Sequence, residues 1–306
     1  MGAGETMVEV GDLQMRYGTV DVLDGVNFSV TRGEVVVLLG PNGAGKTTTI
    51  EILEGFRMRS AGRVSVLGVD PREGDEAWRA RVGVVLQSWR DHPRWTPRNL
   101  LDHLGRYYRP YSTPDRPRPY DVEELIAMVG LEAHADQKIR TLSGGQRRRL
   151  DVAVGVIGRP ELLFLDEPTA GFDPQARRSF HELVHRLTDI EDTTVLLTTH
   201  DLDEAEKLAD RILILAGGRI VADGSADQLA REVTREAQVK WTSKGGHFVH
   251  STADATAFVR QLLDQDPDVS NLEVRRATLE DTYIAMVQQH ESTMARKPSE
   301  HLLEVE

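Results

Sequence analysis

The side chains best placed to do chemistry fall in two short stretches. In Gly40-Pro-Asn42-Gly43-Ala44-Gly45-Lys46-Thr47 every fixed position of the pattern G-x-x-x-x-G-K-[ST] is filled. Glycines there let successive backbone N–H groups turn inward as an anion nest, and a following helix adds the partial positive charge of its N-terminus. Lys46 then reaches the terminal phosphates of a nucleotide, and Thr47 offers a hydroxyl to Mg²⁺. The second stretch, Leu162-Leu-Phe-Leu-Asp166-Glu167, is an apolar strand ending in two acids. A carboxylate at the C-terminal edge of a buried strand stands where open α/β sheets bind ligands. Asp166 is expected to hold Mg²⁺, directly or through water, and Glu167 to polarise an attacking water. Each stretch has a plainer reading, as a glycine-rich turn with an incidental lysine or as an acidic turn. Their occurrence together argues against both.

The elements that must position these groups follow from the pattern around them. Val35–Leu39 is a continuous apolar run, as expected of a strand covered on both faces, and TTTIEILEGF after the loop reads as a helix. Strand, loop and helix in that order open a parallel α/β domain, and VEVGDLQMRYG and VLDGVNFSVTRG before them read as strands ending at glycine. From about 88 to 158 the character changes. Trp89, Trp95, Tyr107 and Tyr108 crowd together, prolines interrupt residues 109–121, and 121–129 and 147–157 have helical periodicity, so this stretch reads as a mostly helical insert. The core resumes with the Asp166 strand, a helix near 174–188, the strand TTVLLTT, a helix at 201–209 and a hairpin through Gly224. Residues 225–290 read as a small α/β accessory domain, with strands QVKWTS, HFVHS and VSNLEVRRA, a helix at 252–264 and a last helix opened by Thr278; 291–306 reads as a flexible tail.

Composition narrows the class. The chain has 306 residues, 40% hydrophobic and 28% charged, enough for one large domain and an accessory one. A formal net charge of −12 argues against a nucleic-acid partner. No stretch approaches the roughly 18 apolar residues of a membrane span, and the N-terminus has neither the basic nor the apolar region of a secretory signal. With no cysteine, disulfides and thiolate metal sites are excluded.

A third stretch names a family. Leu142-Ser143-Gly144-Gly145-Gln146, followed by RRRLDVAVGVIGRPELLFLDEPTAGFDP, resembles the signature, Walker B and D-loop of ABC ATPases in their usual order and spacing. The resemblance covers roughly 7–224. It implies a P-loop NTPase core with a helical insert, binding ATP and Mg²⁺, in an ABC nucleotide-binding domain of residues 1–224. Tyr17 resembles the aromatic that stacks on adenine, and Gln87 the glutamine that senses Mg²⁺ and γ-phosphate. Asp173 is similar to the D-loop aspartate, and His200 to the histidine that contacts γ-phosphate. Asn42, Gly43, Ala44, Gly45, Lys46, Thr47 and Thr48 are expected around the phosphates. Thr47, Gln87 and Asp166 are expected around the metal, and Glu167, His200 and Gln87 in catalysis. The family also implies a head-to-tail dimer, in which Ser143, Gly144, Gly145 and Gln146 of one subunit cover ATP on the other, and a separate transmembrane permease at the cytoplasmic face of the membrane.

The segment from Leu272 to Met286 resembles the tail of daunorubicin-resistance-type exporter ATPases, which implies export. An importer-type ATPase, or a non-transport one acting on ribosomes or DNA, is the alternative. A scaffold without activity is a blander one, against which stand Lys46, Asp166, Glu167 and His200. A run of three charges such as Arg147, Arg148 and Arg149 is ordinarily a solvated helix face, but after the signature glycines these are expected to supply structural pairs or electrostatics on the γ-phosphate side. Phe172 and Arg98 depart from the residues the family commonly carries, leucine and glutamate. Trp89 and Trp95 are candidate permease anchors, with packing inside the insert as the alternative.

Overall fold

The computed structural model describes residues 4–85, 93–169, 171–189, 192–233, 237–243, 246–275, 279–281 and 283–284. Gln87, Trp89, the cap expected at Thr278 and the expected tail lie outside them. The chain divides into two compact units, Met1–Ile220 and Val221–Glu306.

The first unit opens with a hairpin of β1 (Thr6–Tyr17) and β2 (Val20–Thr31), in which buried and exposed residues roughly alternate. Then come β3 (Val35–Leu39), buried at every position, α1 (Lys46–Leu53) and β4 (Ala61–Val66), which pairs antiparallel with β1. β2-β1-β4 thus form an antiparallel sheet of their own rather than running into the parallel core. Alternation identifies a strand's buried face but not its hydrogen-bonded neighbour.

α2 (Glu76–Arg79) and β5 (Val82–Val85) lead into the helical stretch. Among the described residues between β5 and β6 (Leu162–Asp166), every regular element is helical: α3 (Pro97–Tyr108), α4 (Val122–Met128), α5 (Gly144–Val156) and short 3₁₀ turns. α3 has no counterpart among the helices expected from sequence. Its Thr96 side chain accepts from the Asn99 amide, Pro97 fills the first turn, and Leu100 and Leu101 are buried. Arg98 does not face outward as a lone charge, since its guanidinium forks onto Asp136 at 2.9 and 3.1 Å and also meets Glu123. Trp95, just before the cap of α3, packs edge-on against His103 of that helix, with ring centroids 5.1 Å apart.

Next come α6 (Pro174–Asp189), β7 (Thr194–Thr199), α7 (Leu202–Leu208), β8 (Arg211–Ala216) and β9 (Arg219–Gly224), inside which the boundary between units falls. The second sheet has the order β5-β6-β7-β3-β8-β9, with β5, β6, β7, β3 and β8 parallel. Burial on both faces explains why β3, β6 and β7 read as unbroken apolar runs. In register Leu39 pairs with Thr199 and Asp166 with Thr198, so the ends of β3, β6 and β7 form one row. Leu13 and Leu23 of the first sheet join Leu38, Phe164, Leu196 and Leu213 of the second in one core.

The second unit carries α8 (Ala226–Val233), β10 (Ala237–Ser243), β11 (Gly246–Thr252), α9 (Ala255–Gln265) and β12 (Ser270–Arg275). Its antiparallel sheet, β11-β10-β12, is capped by α9, whose Phe258 stacks on His250 at 4.2 Å and tilts over Trp241 at 5.8 Å. No helix among the described residues is long and apolar enough to cross a membrane.

Candidate active site

The loop between β3 and α1 is built for close approach. Gly43 and Gly45 have φ of 81° and 104°, and a Cβ at Gly45 would stand 2.6 Å from Leu23 Cδ2. Only glycine meets both demands. The turn delivers Lys46 as the first residue of α1, 6% exposed, with Nζ donating to the carbonyls of Gly40 (2.8 Å) and Pro41 (3.2 Å). Burial pulls its pKa below the usual lysine value, while Glu167 and Asp166 act to raise it. Lys46 Nζ lies 3.8 Å from Glu167 Oε1.

Asp166 and Glu167 leave β6 beside it. Asp166 is 6% exposed; its Oδ2 accepts from Thr47 Oγ1 at 3.0 Å and its Oδ1 from Thr198 Oγ1 at 2.5 Å. Glu167 has φ of +46°, a left-handed conformation that costs a non-glycine residue roughly 1–3 kcal/mol. Its N–H is held by the Thr198 carbonyl (3.2 Å) and Oγ1 (3.1 Å), and its Oε1 lies 3.2 Å from His200 Nδ1. Behind this turn runs Arg148, 8% exposed, donating to the carbonyls of Pro168 (2.8 Å), Asp166 (3.2 Å) and Glu167 (3.4 Å). The three arginines therefore do not form one solvated face. Arg147 pairs with Asp151, Arg149 donates to the Gly130 carbonyl, and the middle one is buried under the acids.

Lys46, Thr47, Asp166, Glu167 and His200 thus come together at the C-terminal edge of the sheet, with Ala44 and Gly45 buried beneath them and Asn42 and Gly43 exposed. Thr48 is half-buried on α1. Thr198 is the residue that sequence reasoning missed, since TTVLLTT marked a strand without saying which threonine faced the acids; Arg148 was expected to make structural pairs, but not with the carbonyls of this turn. The remaining expected residues lie apart. Ser143 and Gln146 close a reciprocal cap on α5, Ser143 N donating to Gln146 Oε1 at 2.9 Å and Gln146 N to Ser143 Oγ at 3.3 Å. No hydrogen bond joins Ser143–Gln146 to the phosphate loop of the same chain among the described residues. Tyr17 ends β1, 41% exposed, with the Arg57 guanidinium 5.3 Å from its ring centre. Asp173 accepts from the Ala176 amide at 2.7 Å and so caps α6. Gln87 lies outside the described residues.

This donor set suits a nucleotide with Mg²⁺. A buried lysine amid loop amides matches phosphate, and one carboxylate with one hydroxyl is what Mg²⁺ takes from a protein while keeping waters and phosphate oxygens. Among the described residues no group of three or more His, Asp or Glu offers an all-protein metal cage.

Comparison with known proteins points the same way. Residues 23–170 match the family of ABC transporters. The chain is 42% identical over 229 residues to the Nod factor export ATP-binding protein I of Ralstonia nicotianae, covering 74% of this chain and 70% of that one. It is 40% identical to the daunorubicin resistance ATP-binding protein DrrA3 of Streptomyces coeruleorubidus, over 74% and 71% of the two chains. With the ABC transporter ATP-binding protein YdbJ of Bacillus subtilis the identity is 30%, but the match covers 94% of this chain and 97% of that one. Among solved structures, the ATP-binding subunit of an ABC transporter superposes with a TM-score of 0.64 at 28% identity, over 74% and 93% of the chains. The dimeric ATP-binding cassette MJ0796 with ADP and Pi gives 0.62 at 25% identity, over 72% and 98%. The chain belongs to the ABC transporter ATP-binding proteins and is the ATPase of a transporter.

Proposed function

We propose that this ATPase drives export through a separate permease, and that hydrolysis is run by Glu167 from within a head-to-tail dimer. The observation that carries the catalytic part is the position of the Glu167 carboxylate, 3.2 Å from His200 and 3.8 Å from Lys46, next to the Asp166–Thr47 pair. In this reading Lys46 and the loop amides hold the β- and γ-phosphates, with Ala44, Gly45 and Thr48 shaping the cradle. Thr47 and Asp166, with Gln87, hold Mg²⁺, which when bound neutralises charge on the phosphate oxygens. Glu167 takes the proton of the attacking water, while His200 orients Glu167 and the γ-phosphate. Tyr17 stacks on the adenine, and Ser143, Gly144, Gly145, Gln146 and Asp173 close the site from a second copy. Glu167→Gln is expected to keep ATP binding and lose on the order of 10²–10⁴ in turnover. Turnover near wild type in that variant would remove Glu167 from the role. Lys46→Ala is expected instead to weaken ATP binding itself, because it deletes a charge-assisted contact.

Export is supported by the relatives named for Nod factor export and daunorubicin resistance. The ATPase and its permease in liposomes, with ATP on the ATPase side only, should move cargo away from that side. Movement toward it would overturn export in favour of import.

A further inference from the structure

Five arginines, Arg32, Arg81, Arg116, Arg118 and Arg159, line one groove of about 700 Å³ in a chain whose net charge is −12. The groove is not part of the nucleotide site. Arg32 precedes β3, Arg81 precedes β5, and Arg159 precedes β6, so it lies at the N-terminal edge of the parallel strands. Strands of five residues separate that edge from the phosphate loop by about 16 Å.

The acids nearby do not balance the arginines. Glu161 is shared, taking both prongs of Arg81 at 2.9 and 2.8 Å and Arg118 at 3.1 Å. Glu5 and Asp192 both go to Arg32, and Asp115 is the remaining carboxylate of the lining. Arg116 reaches in from the 113–118 loop to the carbonyls of Arg159 and Pro160. Burial pulls its pKa below the usual arginine value, against Glu161, with Arg118 and Arg32 pulling the same way as burial. Arg118 is 7% exposed, and its Nε–H is buried with no acceptor. A buried donor of a cationic group without an acceptor marks an incomplete shell. Guanidinium forks are the side chains that match phosphate oxygens in geometry as well as in charge.

We propose that this groove is a second anion site, binding a small phosphate-bearing anion independently of the nucleotide site. A diphosphate can engage Arg116 and its neighbours at once, so pyrophosphate should bind more tightly than orthophosphate.

The test is calorimetric titration of pyrophosphate and of inorganic phosphate into the full chain carrying Lys46→Ala, which silences the phosphate loop. One saturable pyrophosphate site is expected, weakening with added salt. Adding Arg116→Gln should weaken it at least tenfold, with the melting temperature of the ligand-free protein reporting that the fold survives. Arg32→Gln, on the exposed rim, serves as the second variant and should weaken binding less. Absence of saturable binding in the Lys46→Ala chain overturns the proposal. So does unchanged affinity in both groove variants, which would leave the arginines as staples between the 113–118 loop and the sheet.

Discussion

Glu54, 7% exposed, closes α1 with a carboxyl whose Oε2 has no hydrogen-bond partner. Burial, then the charges of Asp166 and Glu51, push its pKa up to about 8 from an ordinary 4.5. The folded protein therefore keeps this proton up to about pH 8, whereas the unfolded chain releases it near 4.5. Native protein binds more protons across that window, so the contribution is full below pH 4.5 and is lost as pH rises through about 8. The charged form is disfavoured by an amount on the order of a few kcal/mol. Glu54→Gln is neutral at every pH and nearly the same shape. Its melting temperature should match wild type near pH 5 and exceed it near pH 9, by on the order of 5 °C. A difference that stays flat between those pH values would contradict the assignment. Nothing in the segment TTTIEILEGF announces this: a glutamate near a helix end reads as solvated until the fold lays the sheet over it.

α5 and the end of β6 are joined by one side chain. Arg148 spans from the helix that Ser143 caps to the carbonyls flanking Glu167, and it helps to hold that residue at positive φ. Arg148→Met keeps the aliphatic stem and removes the donors, so buried carbonyls lose partners at about 1–3 kcal/mol. Turnover should fall at least tenfold while ATP affinity changes little, because Lys46 and the loop are untouched. Equal loss in turnover and in affinity would assign Arg148 to general stability instead. The contrast with the motif loops shows what a sequence discloses. Gly45, Lys46, Asp166 and Glu167 were legible because their chemistry demands fixed residue types at fixed spacing. Arg148 was not, because three consecutive arginines look alike until α5 is turned against β6. α3 was missed for a related reason: prolines bracket it, at Pro97 and Pro110, and only the first sits where a helix accepts one. The antiparallel β2-β1-β4 sheet depended on partner choice, which is a property of the folded chain.

The relatives mark the two units differently. The Nod factor and daunorubicin proteins match 229 and 228 residues, about the length of the first unit, whereas the Bacillus subtilis protein matches nearly the whole chain. The residues of the nucleotide site, from Lys46 to His200, all lie in the first unit, and the completeness of that site is the question for the assembled molecule. A Cβ at Gly144 or Gly145 would meet nothing within 4 Å, and Ser143 caps α5 without touching the phosphate loop of its own chain. A cap facing open space is explained if another copy supplies the ATP beneath it. Ser143→Arg adds a long side chain into open space, so it should fold yet obstruct a nucleotide held by a second subunit. Lys46→Ala damages the other half of the same site. Each variant alone should be nearly inactive, because every site in its homodimer carries one defect. In a mixed dimer both defects fall on one site and the other is whole. Random mixing at equal amounts gives half mixed dimers with one sound site each, so activity should recover to about a quarter of wild type if the sites act independently. Differently tagged subunits that co-purify, yet recover no activity at any ratio, would show that the site does not lie between two chains.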